Sequence, residues 1–122
     1  MGVPLAMALH KEQERLCREL GNKDGLQTAL AGQASILQNR GDLDGAMALR
    51  KEEERLCREV GNPEGLLISL ANQASILSNM PGHGREARRL ADEALAIATR
   101  HGYQLLVPQI KQLRDGIPSN EA

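Results

Sequence analysis

Residues 6–39, AMALHKEQERLCRELGNKDGLQTALAGQASILQN, recur forty positions later as residues 46–79, AMALRKEEERLCREVGNPEGLLISLANQASILSN, with 24 identities in 34 positions. A third, eroded copy occupies 87–115 after a one-residue insertion, pairing Leu49 with Leu90 and Gly61 with Gly102. Self-similarity at this period marks an array of supersecondary units, each burying its apolar face against the next. That constraint precedes any motif.

The material for the core narrows the fold further. The chain is 41% hydrophobic, yet it has no Phe, no Trp and one Tyr. Leu, Ile, Ala, Val and Met must fill the interior, and residues that favour strands are scarce. The expected fold is all-α, an α-solenoid of antiparallel helix hairpins with about six helices. A single domain is expected over 1–118, with 119–122 as a frayed tail and GIPSNEA loosely held.

Turn chemistry sets the boundaries. A first helix is expected over about 5–20, with Gly21 as a left-handed stop and Asn22 as the next N-cap. A second should run over about 23–39, and a third from the cap Asp42 to Val60. Gly61, Asn62 and Pro63 repeat the stop, cap and first-turn signals before a fourth helix to about Asn79. Met80-Pro81-Gly82-His83-Gly84 is the least regular loop. A fifth helix over about 85–100 and a shorter sixth to about Asp115 complete the set, with Pro108 near the start of the last. Leu105, Leu106, Val107, Ile110 and Leu113 are expected to cover the preceding hairpin.

Charge and sorting signals exclude several classes. Fifteen basic and sixteen acidic residues give a net charge of −1, which lacks the basic face that nucleic acid requires. No apolar run approaches the roughly 20 residues of a membrane span. The N-terminus has no basic region followed by an apolar core, and Ala6 stands where a myristoylation motif needs Ser or Thr. Cys17 and Cys57 occupy equivalent places in two copies, and stacked helices about 8–10 Å apart do not bring equivalent points within disulfide range. They are read as small packing residues whose free thiols fit a reducing, cytoplasmic compartment.

No catalytic constellation appears. His10, His83 and His101 lack partners at metal-ligand spacing, adjacent carboxylates such as Glu52 and Glu53 point to different sides of a helix, and the glycines are singletons at helix ends. The reading is not an enzyme, with no cofactor and no metal. The runs His10–Arg15 and Arg50–Arg55 read as solvated faces laced by i,i+4 pairs, namely Glu14–Arg18, Arg15–Glu19, Arg50–Glu54, Glu54–Arg58 and Arg55–Glu59.

With period, turns and small residues in place, the chain resembles the tetratricopeptide repeat, in the 40-residue variety of kinesin light chains, spindle-orientation adaptors and bacterial signalling proteins. The pattern reads Leu30, Ala34, Leu37, Gly41, Ala46, then Leu70, Ala74, Leu77 and, after the insertion, Ala87. Gln33 and Gln73 depart from it where Leu is usual. Gln13 and Glu53 depart where Ala is usual, at a position that is Ala94 in the third copy. The resemblance implies a protein-interaction module, a scaffold or adaptor, that binds a peptide segment in a concave groove. Its groove residues would be Thr28, Ala31, Ser35 and Asn39, then Ile68, Asn72, Ser75 and Asn79, with Ala71 beside them. Asn72 matches an Asn that holds a ligand's main chain in similar proteins, whereas Gly32 stands at the equivalent place one repeat earlier. The Lys and Arg residues of a carboxylate clamp are absent. A structural segment of a longer array, or the regulatory arm of a signalling protein, is the alternative. The expected partner is a protein or peptide, not nucleic acid or membrane. The first helix has the character of a hairpin's second helix and is expected to leave Leu5, Leu9, Leu16 and Leu20 without a covering partner. Self-association as a twofold pair through this edge follows as an expectation.

Overall fold

The computed structural model describes residues 2–117, in six helices and, among those residues, no strand. The helices are α1 (Gly2–Leu20), α2 (Lys23–Asn39), α3 (Leu43–Val60), α4 (Pro63–Ser78), α5 (Gly84–Arg100) and α6 (Val107–Asp115). The chain forms two compact units, Met1–Gly61 and Asn62–Ala122. In the first, α1 packs on α2 and α2 on α3; in the second, α4 packs on α5 and α5 on α6, with α6 also touching α4. This is the expected all-α architecture of consecutively packed helices.

The caps explain the boundaries. Gly21 adopts φ 69° and Gly61 φ 70°, a left-handed backbone that any Cβ would strain. Asn22, Asp42 and Asn62 then each accept from the N–H three residues on, at 2.9, 3.0 and 3.0 Å, from Gly25, Gly45 and Gly65. These bonds satisfy donors that the first turn cannot satisfy internally. Pro63 opens α4, where its missing N–H is not needed. Within each unit, short links return a helix against its predecessor.

Small residues set the spacing between helices. Ala29, Ala34 and Ala46 in the first unit, and Ala74, Ala87, Ala91, Ala94 and Ala98 in the second, are completely buried. Around them lie Leu30, Leu56, Leu67, Leu70 and Ile76, also almost wholly removed from water. Cys17, Leu26, Leu30 and Leu56 form the centre of the first unit, with Leu49 packed against it. Gly25 lets α1 and α2 close up, because a methyl there would lie 2.6 Å from Cys17 Sγ and 2.8 Å from Asn22 Nδ2. Gly32 does the same beneath the His10 ring, which a Cβ there would overlap.

The C-terminal end differs from the sequence reading in two places. Leu105 does not cover the hairpin but stands 84% exposed, while Ile110 supplies the burial. The reason is that residues 101–106 form turns ahead of α6, so Leu105 precedes the helix and is not on its inner face. GIPSNEA is held at its start. Ile117 is buried, and Arg88 Nη1 lies 3.3 Å from the carbonyls of both Arg114 and Ile117. The tail 119–122, expected to fray, lies outside the described residues.

Two substitutions test this packing. Ala74→Leu is expected to lower stability by about 1–3 kcal/mol through overpacking, and an unchanged thermal melt would contradict the helix register. Gly25→Ala should also destabilise, and Cys17→Ala in the same chain should recover part of the loss. Strict additivity in that double-mutant cycle would mean that the α1–α2 contact is not where the methyl falls.

Candidate functional site

The groove residues of α4 gather at one place. Ile68, Ala71, Asn72 and Ser75 sit at i, i+3, i+4 and i+7, one stripe of a helix. With Leu67 they form one wall of a depression of about 280 Å³, whose other wall is Leu106, Gln109, Ile110 and Leu113 of the α6 segment. Ile68 is 40% exposed and Asn72 half-buried. An exposed β-branched side chain beside an amide and a hydroxyl gives an apolar surface with polar positioning groups. That combination suits a ligand presenting alternating side chains and main-chain amides.

The polar side chains of this stripe are already oriented. Asn72 Nδ2 donates to Ile68 O at 2.9 Å, and Asn79 Nδ2 donates to Ser75 O at 3.1 Å. Ser78 Oγ also donates to Ser75 O, at 2.8 Å. Such return bonds to the preceding turn fix the rotamer of a short polar side chain. For Asn72 they commit one amide donor and leave its oxygen as the acceptor chemistry of the site. Asn79 caps the C-terminus of α4 and is exposed.

A second depression, of about 460 Å³, adjoins the first through Leu106 and is lined by Glu64, Gly102, Tyr103, Gln104 and Leu105. Tyr103, the chain's single tyrosine, stacks on His101 with ring centroids 6.0 Å apart and planes at 23°. Sequence reasoning did not find this part, because these residues belong to a turn and have no counterpart in the helical repeat pattern. The one available signal was the isolated Tyr.

In the first unit, Thr28, Ala31, Ser35 and Asn39 run along α2, with Thr28, Ser35 and Asn39 exposed and Ala31 half-buried. Thr28 Oγ1 donates to Asp24 O at 3.2 Å. Ser35 is tied to the interior of its unit, since its Oγ accepts from Arg50 Nη2 at 3.0 Å.

The Arg50–Arg55 run is not uniformly a solvated face: Arg50 and Glu53 are both buried, and Arg50 Nη1 donates to Glu53 Oε1 at 3.1 Å. The pairing is i,i+3, because burial turns both side chains into the protein, whereas sequence alone points Arg50 to Glu54. The other expected pairs stand at the surface: Glu14–Arg18, Arg15–Glu19, Glu54–Arg58 and Arg55–Glu59. Gln33 is buried and donates to Glu14 Oε1 at 2.7 Å. Gln33's hydrogen bond, followed by Arg18's, holds the Glu14 carboxyl below its usual range. Gln73, equally buried, donates to Ser69 Oγ at 3.3 Å.

Burial, then the nearby carboxylates of Glu53, Asp24 and Glu54, pushes the Cys57 thiol up to about 11. It is thus a packing group and not a nucleophile. Among the described residues, no group of three or more His, Cys, Asp or Glu is placed to hold a metal ion, and no helix is long and apolar enough to cross a membrane. No family model, curated protein or solved structure matches the chain.

Removing one member of the buried ion pair should be costly. Glu53→Ala is expected to destabilise by about 3–5 kcal/mol, because it withdraws the carboxylate from a guanidinium held out of water. Glu12→Ala, on the exposed face of α1, should leave the unfolding midpoint nearly unchanged by comparison. Urea unfolding of the two variants measures the contrast, and similar midpoints would argue against burial of the Arg50–Glu53 pair.

Proposed function

We propose that the chain is a protein-interaction module of tetratricopeptide-repeat type that binds a peptide segment of a partner along the α4–α6 furrow. The observation that carries this reading is the convergence of Ile68, Asn72 and Ser75 with Leu106, Gln109 and Leu113 around one open depression. The furrow combines apolar walls with one carboxamide and one hydroxyl on α4 and a second carboxamide on α6. An uncharged or mildly polar segment matches it better than an acidic one, since no Lys or Arg lines it. Leu106 continues the apolar surface towards Tyr103 and Leu105, where an aromatic or aliphatic anchor of the partner would lie. A scaffolding or adaptor role in a reducing, cytoplasmic compartment accords with two buried free thiols. The chain acts by binding and not by catalysis in this reading.

Panning the 122-residue chain against a displayed random-peptide library tests the proposal. Recovered peptides should bind wild type, lose affinity about tenfold or more with Leu113→Glu, and weaken with Asn72→Ala. The melting temperature of Asn72→Ala should stay nearly unchanged, because the amide's visible bond is local to its own helix turn. Peptides that bind wild type and both variants equally would move the site away from the furrow.

A further inference from the structure

α1 carries an apolar stripe that stands largely open to solvent among the described residues. Leu5, Leu9, Leu16 and Leu20 are 64%, 61%, 44% and 78% exposed. At 3.6 residues per turn the four fall within an arc of about 60°. A different flank of the same helix, about 90–150° around from the centre of the stripe, faces α2, through Cys17, through His10 over Gly32 and through Glu14 to Gln33. The stripe is therefore not a poorly packed part of the α1–α2 contact but a separate surface.

The central part of its equivalent on α3 is covered, although Val60, the counterpart of Leu20, is 36% exposed. Leu49 and Leu56 stand forty positions after Leu9 and Leu16, and both pack with Leu26 and Leu30 of α2. Leu56 is only 2% exposed. The covering element there is a helix that presents leucines across a short link. Any occupant of the α1 stripe must offer the same thing.

We propose that the occupant is α1 of a second copy, crossing antiparallel about a twofold axis that passes between Glu12 and Gln13. The spacing of the stripe reads the same in both directions: four, seven and four residues separate its leucines, about a midpoint between positions 12 and 13. A twofold axis at that midpoint sets Leu9 opposite the partner's Leu16 and Leu5 opposite the partner's Leu20, so every leucine of one copy meets a leucine of the other. The flanks match as well. Residues on the same side of the two helices face one another across such an axis. On one side, Arg15, which pairs with Glu12 and Glu19 of its own helix, comes within reach of Glu12 of the partner subunit. Two guanidiniums and two carboxylates then alternate around the axis. On the other side Gln13 meets its own counterpart, and two carboxamides can each donate and accept. A parallel pairing brings like residues together along the whole length, including Arg15 on Arg15 and Glu19 on Glu19, and lacks this compensation. The surface differs from the α4–α6 furrow, and the inference does not rest on peptide binding there.

Sedimentation velocity of the full 122-residue chain at tens of micromolar decides it. Wild type should sediment as a dimer. Leu9→Lys/Leu16→Lys should be monomeric with unchanged far-ultraviolet dichroism, because both leucines are exposed in the single copy and the buried α1–α2 contact runs through Cys17. Glu12→Arg gathers four positive charges at the axis and should weaken the dimer at least about tenfold. Glu12→Arg combined with Arg15→Glu re-creates the alternation with signs exchanged and should restore it. A wild-type monomer, a dimer indifferent to the leucine substitutions, or larger open assemblies would each overturn the twofold pairing. So would failure of the charge exchange to recover association in a chain whose helicity is intact.

Discussion

Close approach of helices over alanine is the contact on which the rest of this structure depends. A chain without Phe or Trp cannot fill wide gaps between helices, so the helices must come together until Leu, Ile and Ala suffice. Ala34, Ala46, Ala74, Ala87 and Ala94 are removed completely from water at these contacts. Alanine loses no rotamer entropy when buried, which favours such interfaces even though each contributes little apolar area. Gly25 and Gly32 carry the same logic further, since even a methyl would collide with Cys17 or His10.

Polar residues enter this interior only in company. Arg50 lies between Glu53 and Ser35, Gln33 bonds Glu14, and Gln73 bonds Ser69. A packed core of small aliphatic residues leaves little room for water, so each buried donor or acceptor needs a protein partner close by. Gln33 and Gln73 stand at equivalent places in the two copies, forty positions apart. The buried polar groups convert an otherwise interchangeable Leu/Ala packing into one with specific geometry, because a shifted helix would separate charges that cannot be left alone in a low-dielectric setting. The same requirement does not hold in the α4–α6 furrow, where Asn72 bonds its own helix and remains half-exposed.

Local chemistry made the helices legible in the sequence. Gly21 with Asn22, and Gly61 with Asn62 and Pro63, end one helix and start the next through bonds spanning three or four residues. α2 and α3 accordingly lie where composition and caps put them. The furrow was half legible. The stripe Ile68, Asn72, Ser75 was implied by the resemblance to tetratricopeptide repeats, but its opposite wall depends on how α6 returns, and Tyr103 and Leu105 belong to a turn that no period describes.

The sequence by itself determined the all-helical class, the positions of the turns and the faces of each helix, because these rest on backbone sterics and on bonds between near neighbours. Tertiary structure alone decided what each face meets. Leu16 and Leu56 are the same residue in nearly the same local sequence, yet one is 44% exposed and the other 2%. Glu12 and Glu53 both pair with an arginine three residues away, one in water and one out of it. Burial is a property of the element packed against a residue, and no window of sequence around Leu16 or Glu53 contains that element.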